Sequence, residues 1–479
     1  MPDLPKPRPL LIALIVACAM FMEQLDGTVV ATALPAMAVS LGTTAVLLNL
    51  AITAYMLSLA VFIPVSGWLA DRFGAMQVFR AAILVFMVGS ALCGIADNLG
   101  LLTGARIFQG IGGAMMVPVG RLVLLRSVEK SQMVQAMAWL MIPSLLGPVL
   151  GPPLGGFITT YVSWRWIFFL NLPIGVVGVI LVSLFIPNTR EDEGHPLDVS
   201  GFALSGTALA GLVYGLDVIG RAPADFSGWV LFLGGLVVGV LAVRHSLRHP
   251  RPLLDLALLA IPTFRASALG GGAFRIGIGA MPFLLPLMLQ IGFGMSAFAS
   301  GLLTFAAAVG AMAMKVAAGP ILRRFGFRQV LVVNTLIGAA SIGACGLFQA
   351  TTPGWIIVLV LVSGGFFRSL QFTALNVIAY ADVPQPRMSA ATSLYGMAQQ
   401  VNLSAGVAVG ALVLHLAMMA HGGVGSAPLP LDFRIAFGVV ALIAALAVLS
   451  FWTLDPAAAA EVSGHRPRRS AGGVPAPGE

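Results

Sequence analysis

The chain has 479 residues, of which 58% are hydrophobic and only 9% are charged, whereas about 25% are charged in a typical soluble domain. Its mean hydropathy of +0.97 excludes a water-soluble monomer. The formal net charge of +8 would suit a nucleic-acid-binding protein. However, most basic residues lie in the connections between apolar runs, where they set membrane topology. No nucleic-acid partner is therefore predicted.

Apolar runs of about 20 residues recur along the whole chain, and each is long enough to cross a bilayer. In lipid such runs must be helices, because each backbone polar group needs a partner within its own segment. We therefore predict an all-α membrane protein with fourteen transmembrane helices. In chain order their approximate limits are 10–37, 48–70, 77–97, 100–125, 133–160, 164–187, 198–219, 227–246, 265–292, 296–321, 328–349, 354–380, 388–418 and 432–453.

The predicted helices fall into three blocks. Residues 1–187 hold six helices, residues 188–263 hold two helices flanked by charged segments, and residues 264–455 hold six more. The tail at 456–479 is rich in Ala, Gly, Pro and Arg and is predicted to be disordered. The predicted architecture is two six-helix bundles separated by two extra transmembrane helices.

A repeated turn supports the division into two bundles. The stretch Gly67-Trp-Leu-Ala-Asp-Arg-Phe-Gly74 lies between two apolar runs, and Gly319-Pro-Ile-Leu-Arg-Arg-Phe-Gly326 lies between two later ones. Both copies continue into a Gln-Val pair. Duplicated halves in a membrane protein are typical of transporters whose site lies at the repeat interface.

The basic residues predict the orientation. Most of the 26 Lys and Arg residues lie in alternate connections, and the positive-inside rule then places both termini in the cytoplasm. Arg106, Arg275 and Arg368 are different, because they fall within predicted helices. Ionisable residues within membrane helices are functional candidates.

No polar segment is large enough to hold a soluble active site. The sequence contains no phosphate-binding loop, no metal-ligand cluster and no catalytic triad, and its three cysteines all lie in apolar runs without redox spacing. We therefore predict no enzymatic activity, no catalytic residue, no cofactor and no metal site.

Five short patterns follow one another on successive predicted helices: 25–35, 67–80, 106–114, 147–156 and 164–175. Together they resemble the major facilitator superfamily and, within it, the fourteen-helix drug:proton antiporters, most closely a bacterial group named multidrug-resistance protein D. The resemblance covers roughly residues 10–453. It implies an antiporter of the bacterial inner membrane that uses protons to export small molecules by alternating access. Its partners would be protons, a small-molecule substrate and membrane lipid, and any adaptor or outer-membrane partner is left open.

Asp26, Glu23 and Arg106 are the predicted proton-coupling residues. A carboxylate near the bilayer centre persists only if it faces a wet cavity, pairs with a cation or binds a proton. Glu23 precedes Asp26 by three residues, so the two acids share a helix face. The resemblance ties Arg106 to proton transfer. The alternatives are a structural carboxylate for Asp26 and an arginine that snorkels or packs on backbone carbonyls.

The first copy of the turn is the predicted gate, which comprises Gly67, Asp71, Arg72, Gly74 and Arg80. The resemblance implies a latch in which Asp71 meets a helix N-terminus across the two halves. The basic residues that usually follow the second glycine of this motif are absent, because Ala75 and Met76 occupy those positions. The alternative explanation is that these residues only form a turn and that their positive charges only set the orientation in the membrane.

A Gly/Pro run in the fifth predicted helix is similar to a motif that marks exporters in this superfamily. Prolines remove backbone donors and glycines permit close packing, so we predict that this run cannot form a regular helix and makes a kinked seam that blocks proton leakage. A packing kink without a direct part in transport is the alternative. The residues are Gly147, Pro148, Gly151, Pro152, Gly155 and Gly156.

Six polar residues are predicted to line a substrate cavity: Arg275, Arg368, Gln109, Gln371, Asn376 and Asn402. Two buried arginines would not favour cationic drugs. An exporter of an organic anion or a metal–carboxylate chelate is therefore the alternative to a multidrug exporter. Both arginines could instead pair with acids or carbonyls within the fold. A non-transporting sensor or scaffold that retains a transporter fold is a further alternative.

Overall fold

The computed structural model describes residues 9–43, 45–187, 196–221, 225–295, 297–420 and 428–465. These residues form helices joined by turns and loops, and no β-strand occurs among them. The charged segment at 188–195 and the part of the predicted tail from 466 to 479 lie outside the described residues. The all-helical prediction is confirmed for the part of the chain that is described.

The first half contains six long helices and two short ones. The span predicted at 48–70 is divided by a 3-10 turn at Ile63–Val65, which contains Pro64. In chain order the helices are α1 (Pro9–Ser40), α2 (Ala45–Phe62), α3 (Ser66–Phe73), α4 (Ala75–Ile95), α5 (Leu99–Ser127), α6 (Met133–Tyr161), α7 (Trp166–Phe169) and α8 (Asn171–Phe185).

A pair of linker helices and the second half follow. Two π-helical turns, at Ala266–Gly270 and Met288–Gly292, flank the first long helix of the second half. The linker pair is α9 (Val199–Arg221) and α10 (Phe226–Arg248). The second half comprises α11 (Pro262–Arg265), α12 (Gly271–Leu287), α13 (Ala297–Cys345), α14 (Gly354–Ala381), α15 (Met388–Ala420), α16 (Pro430–Trp452) and α17 (Ala460–Ser463).

Twelve helical segments among the described residues are long and apolar enough to cross a membrane. One of them, Ala299–Cys345, has 47 residues and contains Gly326, whose backbone is not helical (φ 73°, ψ 168°). Helix α6 has 29 residues and is not one of the twelve. Long apolar helices therefore make up most of the described chain.

The repeated turn has the same backbone conformation in both halves. Gly74 (φ 93°) and Gly326 (φ 73°) occupy the last position of the two copies, and each lies in the left-handed region that favours glycine. The duplicated sequence is therefore also a duplicated structure. We use the term α3–α4 end for the end of the bundles at which Gly74 lies.

The two halves pair their helices in the same way. Helix α1 packs on α6 in the first half, and α12 packs on α15 in the second. The halves meet where α3 and α5 contact α15 and where α6 contacts α13 and α14. In the linker pair, α9 packs on α10 and also contacts α2 and α15, so it lies against both halves.

The Gly/Pro run does not interrupt its helix, contrary to the sequence prediction. Helix α6 continues as an α-helix from Met133 to Tyr161 through all six motif positions. Each proline removes one backbone donor, but its φ of about −65° is compatible with a helix, and the remaining backbone bonds are kept. The prediction of a segment that cannot form a regular helix was wrong.

The tail begins later than predicted, because residues 456–465 are folded. Val462 in α17 is buried, and Glu461 forms an ion pair of 3.0 Å with Lys130 of the first half. The ring of His465 lies against Gly326 and hydrogen bonds the Arg323 carbonyl oxygen at 3.0 Å. Composition alone suggested disorder, but the apolar residues of this segment bury against the second copy of the turn.

Candidate functional site

A buried polar cluster surrounds Asp26 near the middle of α1. Arg106 Nη1 donates to Asp26 Oδ2 at 2.6 Å, and both side chains are only 1% exposed. Gln109 Nε2 and Asn171 Nδ2 each donate to Asp26 Oδ1 at 3.0 Å. One carboxylate of α1 is therefore held by three donors from α5 and α8.

The donors to Asp26 are themselves positioned by neighbouring side chains. Arg106 Nη1 also donates to Gln109 Oε1 at 2.7 Å, and its guanidinium lies 4.2 Å from the centre of the Tyr55 ring. Asn171 also donates to Ser90 Oγ at 2.9 Å. The cluster thus draws on α1, α2, α4, α5 and α8, and a shift of any of these helices would alter it.

The environment of Asp26 shows how this carboxylate is accommodated within the helices. A carboxylate in the membrane can face a wet cavity, pair with a cation or bind a proton. In the structure, Asp26 pairs with a cation, Arg106. In this conformation the carboxylate is closed to solvent but lies among polar groups. Arg106 does not snorkel to the membrane interface, because its guanidinium is buried against Asp26. Removing either partner would leave an uncompensated buried charge.

Two polar atoms beside this cluster lack partners among the described residues. Glu23 Oε2 and the Tyr55 hydroxyl are buried, and neither makes a hydrogen bond. Glu23 lies one helical turn before Asp26 on the same face of α1. Glu23 as a whole is half-buried, and a buried carboxylate oxygen without a donor is costly when the group is an anion. The cluster therefore contains one acid that is paired and one that is not.

The glycines of α6 bring it close to α1 at the level of Asp26. A Cβ atom at Gly147 would lie 2.7 Å from Gln24 Cβ and 2.9 Å from the Leu25 amide nitrogen. A Cβ atom at Gly151 would overlap the Thr28 hydroxyl. Gly156 has no such neighbour within 4 Å, so only part of the predicted motif forms the α1–α6 contact.

Asp71 joins the two halves at the α3–α4 end. Its Oδ1 accepts a hydrogen bond of 3.0 Å from Arg126 Nη2, and its Oδ2 accepts one from Ser389 Oγ in the first turn of α15. Asp71 thus lies beside a helix N-terminus of the opposite half, the position in the predicted latch. Arg126, which the sequence reasoning treated as a topology charge, is a second member of this contact.

Gly67 permits the contact between α3 and α15. A Cβ atom there would lie 2.7 Å from the Ser389 carbonyl oxygen, a distance shorter than Cβ atoms essentially ever show. One residue earlier, the Ser66 and Ser393 hydroxyl oxygens are 2.9 Å apart. By contrast, the repeat-equivalent Gly319 has no neighbouring atom within 4 Å. The close approach therefore exists at one copy of the turn only.

The other predicted gate residues are not part of this contact. Arg72 is exposed and Arg80 is half-buried, and neither forms an ion pair with any residue that the structure describes. Gly74 provides the left-handed conformation between α3 and α4. The positions of these three residues fit the alternative explanation, in which they form a turn and set the orientation in the membrane.

Disulfide formation can measure the α3–α15 contact directly. With the three native cysteines replaced, Ser66→Cys and Ser393→Cys are expected to crosslink on mild oxidation, because their hydroxyl oxygens lie 2.9 Å apart. Adding Gly67→Leu should lower the crosslinked fraction several-fold, because the side chain would push α15 away. Gly319→Leu is the matched control and should leave the fraction unchanged. Equal fractions in all three proteins would contradict the assignment.

A second buried cluster in the second half contains Arg275. Its Nη1 donates to the Ser267 carbonyl oxygen at 2.8 Å, and its Nη2 donates to the Tyr395 hydroxyl. Arg121 of α5 donates to the Tyr380 hydroxyl at 3.2 Å, and the Tyr380 and Tyr395 rings are 5.4 Å apart. The cluster therefore joins α5 of the first half to α12, α14 and α15.

Neither arginine of this cluster has a carboxylate partner among the described residues. Arg121 and Arg275 are at most 1% exposed, and the Nε atom of each is buried without a hydrogen-bond acceptor. Two cations thus share a pair of tyrosines instead of an acid. The sequence analysis did not single out Arg121, which lies six residues before the end of α5.

The predicted substrate-cavity residues do not converge on one cavity. Gln109 belongs to the Asp26 cluster, and Arg368 is half-buried near Cys345. Gln371 donates to Thr335 at 2.8 Å, whereas Asn376 donates to a carbonyl of its own helix. The side-chain oxygen of each amide is buried without a donor. The second half therefore holds several unsatisfied polar atoms at separate places.

Asn402 lines a separate apolar cavity of about 470 Å³. The cavity lies between the linker helices and α15, and Ser205, Ser246 and Asn402 are its polar residues. The other five predicted cavity residues do not line it. A lysine that the sequence reasoning did not single out, Lys315 in α13, is also buried and donates to Thr373 Oγ1 at 2.9 Å.

Comparison with known proteins identifies the family. A profile of the Major Facilitator Superfamily matches residues 16–407, which is most of the chain. The chain belongs to the major facilitator superfamily. Its members are membrane transporters, so it is a multi-pass transporter of the bacterial inner membrane and not an enzyme. The family resemblance predicted from the sequence motifs is confirmed.

Curated relatives of this superfamily member cover nearly its full length. It is 38% identical over 442 residues to a protein of Salmonella paratyphi B named "Putative multidrug resistance protein MdtD", covering 91% of this chain and 93% of the relative. A protein of the same name from Salmonella heidelberg matches with the same identity and coverage. The resemblance to the multidrug-resistance protein D group is therefore also confirmed.

Solved superfamily structures share the fold at low sequence identity. The human organic anion transporter MFSD10 (TETRAN) aligns with a TM-score of 0.68 at 15% identity, covering 93% of this chain and all of that one. The proton:xylose symporter XylE aligns with a TM-score of 0.64 at 15% identity, covering 93% and 96%. Both confirm the fold of this superfamily member and nothing finer.

Proposed function

We propose that the protein is a proton-coupled antiporter of the multidrug type, which exports small molecules across the inner membrane by alternating access. The observation that carries this proposal is the buried ion pair between Asp26 and Arg106, which lies within the first half and is closed to solvent. An intramembrane acid paired with an arginine can exchange that partner for a proton. The multidrug name of the Salmonella relatives supports the substrate class.

The proposed topology has fourteen crossings with both termini in the cytoplasm. Counting α13 as two crossings divided at Gly326, and adding α6 to the twelve apolar segments, gives that number. The two six-helix bundles would then occupy 1–187 and 264–455, with the linker pair at 188–263. The positive-inside pattern supports the orientation and makes the α3–α4 end cytoplasmic.

Proton binding would act on the cluster by removing one charge. When Asp26 is protonated, Arg106 loses its only carboxylate partner among the described contacts and must find another acceptor. Glu23, whose buried oxygen has no donor, is the second acid that can hold a proton here. Because the cluster draws on five helices, the change in charge would alter their packing. Substrate affinity should then depend on protonation, since coupling of two sites is reciprocal.

The contact of Asp71 with Arg126 and Ser389 would close the cytoplasmic gate. It draws α3 and α15 together at the α3–α4 end, where Gly67 allows the close approach. A carboxylate at a helix N-terminus is stabilised by the helix dipole. In the proposed cycle this contact breaks when the protein opens to the cytoplasm and loads its substrate.

Transport into inverted membrane vesicles tests the proposal. We expect accumulation of at least one hydrophobic drug when a pH gradient is imposed, and collapse of that accumulation when a protonophore is added. Inverted vesicles from cells that lack the transporter provide the blank. Accumulation that persists without any proton gradient, in a vesicle free of ATP, would exclude proton coupling.

A specific exporter of an organic anion or a metal–carboxylate chelate is the second candidate. The observation that favours it is the carboxylate-free cluster of Arg121 and Arg275, whose two Nε atoms lack acceptors. An anionic substrate would supply the missing acceptors, and charge-assisted hydrogen bonds to arginine are among the strongest available. Simple cationic drugs would gain nothing from such a cluster.

Arginine substitutions separate the two candidates. Arg121→Ala and Arg275→Ala are each expected to weaken transport of carboxylates by about tenfold to a hundredfold, because each removes a charged hydrogen-bond donor of the cluster. A panel of labelled mono-, di- and tricarboxylates, with and without divalent metal, is the measurement. Arg434→Ala, an exposed arginine at the start of α16, is the control. Unchanged carboxylate transport in both variants would remove the anion hypothesis.

A non-transporting sensor or scaffold is the remaining alternative from another class. The Asp26–Arg106 pair is evidence against this alternative. A buried ion pair often adds no net stability, so its presence is better explained by a function such as proton binding. Exchange of labelled for unlabelled substrate across a proteoliposome membrane would exclude it.

A further inference from the structure

A groove with a volume of about 510 Å³ lies between α9 and the end of α10. Leu204 and Leu241 form its apolar part, and Pro250 closes one side. Its polar part consists of two arginines and two histidines from a single stretch of α10: Arg244, His245, Arg248 and His249. The groove therefore combines apolar surface with concentrated basic side chains.

The two arginines of the groove are exposed and unpaired. Arg244 and Arg248 are four residues apart, so they lie on the same face of α10. Neither forms an ion pair or hydrogen bond with any residue that the structure describes. As far as the described residues go, their guanidinium groups are available to an anion from outside the protein.

Asp198 is the carboxylate beside the groove among the described residues, and it is already occupied. Asp198, just before α9, accepts hydrogen bonds from the Gly201 amide at 2.8 Å, the Leu253 amide at 3.2 Å and His245 Nε2 at 2.9 Å. Partial burial raises the pKa of the Asp198 carboxyl, but the hydrogen bonds from Gly201 and His245 outweigh burial and hold that pKa below its usual value. Asp198 thus stays ionised, caps α9 and fixes His245 at the groove.

The groove lies at the depth of lipid headgroups. From Phe226 to Arg244, helix α10 is apolar and extends about 27 Å at about 1.5 Å per residue, close to the thickness of the hydrocarbon core. Leu233, Val237 and Val240 on this helix are more than half exposed, as expected for a lipid-facing surface. Arg244 and Arg248 therefore follow directly after the membrane-spanning part.

We propose that this groove is a binding site for an anionic phospholipid of the leaflet at the α3–α4 end. The lipid phosphate binds Arg244 and Arg248, and the upper part of an acyl chain lies along Leu204 and Leu241. Charge complementarity selects an acidic lipid over a zwitterionic one, because the described residues of the groove offer cations without a free carboxylate. Its position on the linker pair allows the lipid to bridge α9 and α10.

A metal ion is a weaker occupant for the same residues. Ligand atoms of Asp198, His245 and His249 lie within 4.8 Å of one another. However, both Asp198 oxygens already accept N–H groups, and His249 Nδ1 accepts the Arg251 amide at 3.3 Å. The two neighbouring arginines would also repel a cation. An anion requires none of these hydrogen bonds to break.

Native mass spectrometry of the full-length protein in neutral detergent tests the site. We expect retention of phosphatidylglycerol over phosphatidylcholine of the same chain length. Arg244→Ala/Arg248→Ala should weaken phosphatidylglycerol binding about 25-fold, since each arginine near an anionic lipid contributes about fivefold. The matched control, Arg323→Ala/Arg324→Ala, removes the same charge from two exposed arginines at the same end and should keep the binding.

A second variant tests the groove apart from its charge. Leu204→Trp fills the apolar floor, keeps both arginines and should also lower retention of phosphatidylglycerol several-fold. Equal losses in the two double-arginine variants would reduce the effect to diffuse surface charge and overturn the proposal. Competition by inorganic phosphate at millimolar concentration without chain-length dependence, or by Ni²⁺ in a manner abolished by Asp198→Asn, would assign the groove to a free anion or to a metal.

Discussion

Asp26→Asn is expected to abolish pH-driven transport while leaving the protein folded. Asparagine has nearly the same shape as aspartate and keeps acceptor contacts with Gln109 and Asn171, but it cannot gain or lose a proton. It also leaves the buried Arg106 without its counter-ion, so we expect the variant to be less stable than the native protein. The substrate gradient that a pH gradient builds should fall at least tenfold, within the usual range of coupling free energies. The measurement is accumulation in inverted vesicles under an imposed pH gradient.

Exchange transport distinguishes lost coupling from lost binding. If Asp26 carries the proton, Asp26→Asn should still exchange labelled for unlabelled substrate without a gradient, because the neutral amide mimics the protonated acid. Asp97→Asn makes the same chemical change at an exposed acid before α5 and should affect neither assay. Full pH-driven accumulation in Asp26→Asn would refute the role of this residue, and attention would pass to Glu23.

Arg106→Ala is expected to cause the largest loss of stability among single substitutions in the first half. It leaves the Asp26 carboxylate, 1% exposed, without its cation, and breaking a buried pair in this way typically costs about 3–5 kcal/mol. The measurement is thermal unfolding in detergent. Adding Asp26→Asn to Arg106→Ala should recover part of the lost stability, because the uncompensated charge is then gone.

An exposed ion pair provides the control for this experiment. Lys130 and Glu461 are 3.0 Å apart, with 56% and 80% of their side chains exposed, so Lys130→Ala should change stability by no more than about 1 kcal/mol. If the Asp26→Asn/Arg106→Ala protein is no more stable than Arg106→Ala, the two residues are not coupled. The buried pair would then be incidental to the fold.

The helices and the repeat were predictable because their signals are local. In lipid a segment must satisfy its own backbone, so an apolar run of sufficient length marks a helix wherever it occurs. The limits predicted at 100–125 and 133–160 agree with α5 and α6 to within a few residues. The glycine at the end of each turn copy likewise follows from one local need, a left-handed backbone conformation at Gly74 and Gly326.

The partners of the polar residues were not predictable in the same way. The sequence identified Asp26, Arg106 and Asp71, but it did not show that Asn171 binds Asp26 or that Arg126 and Ser389 bind Asp71. Arg121 was missed because it lies near the end of its helix, where basic residues usually set the orientation of the protein in the membrane. A polar residue near a helix end can face lipid headgroups or the protein interior, and its own helix does not decide which.

The sequence by itself thus determined that this chain is a duplicated, all-helical membrane transporter with an acid in its first helix, because apolar length and the turn motif are properties of single segments. Only the tertiary structure decided that Asp26 is neutralised by an arginine 80 residues away and that Asp71 meets a serine 318 residues away. Such pairs depend on which helices become neighbours. That choice arises from packing summed over many side chains, and no single segment contains it.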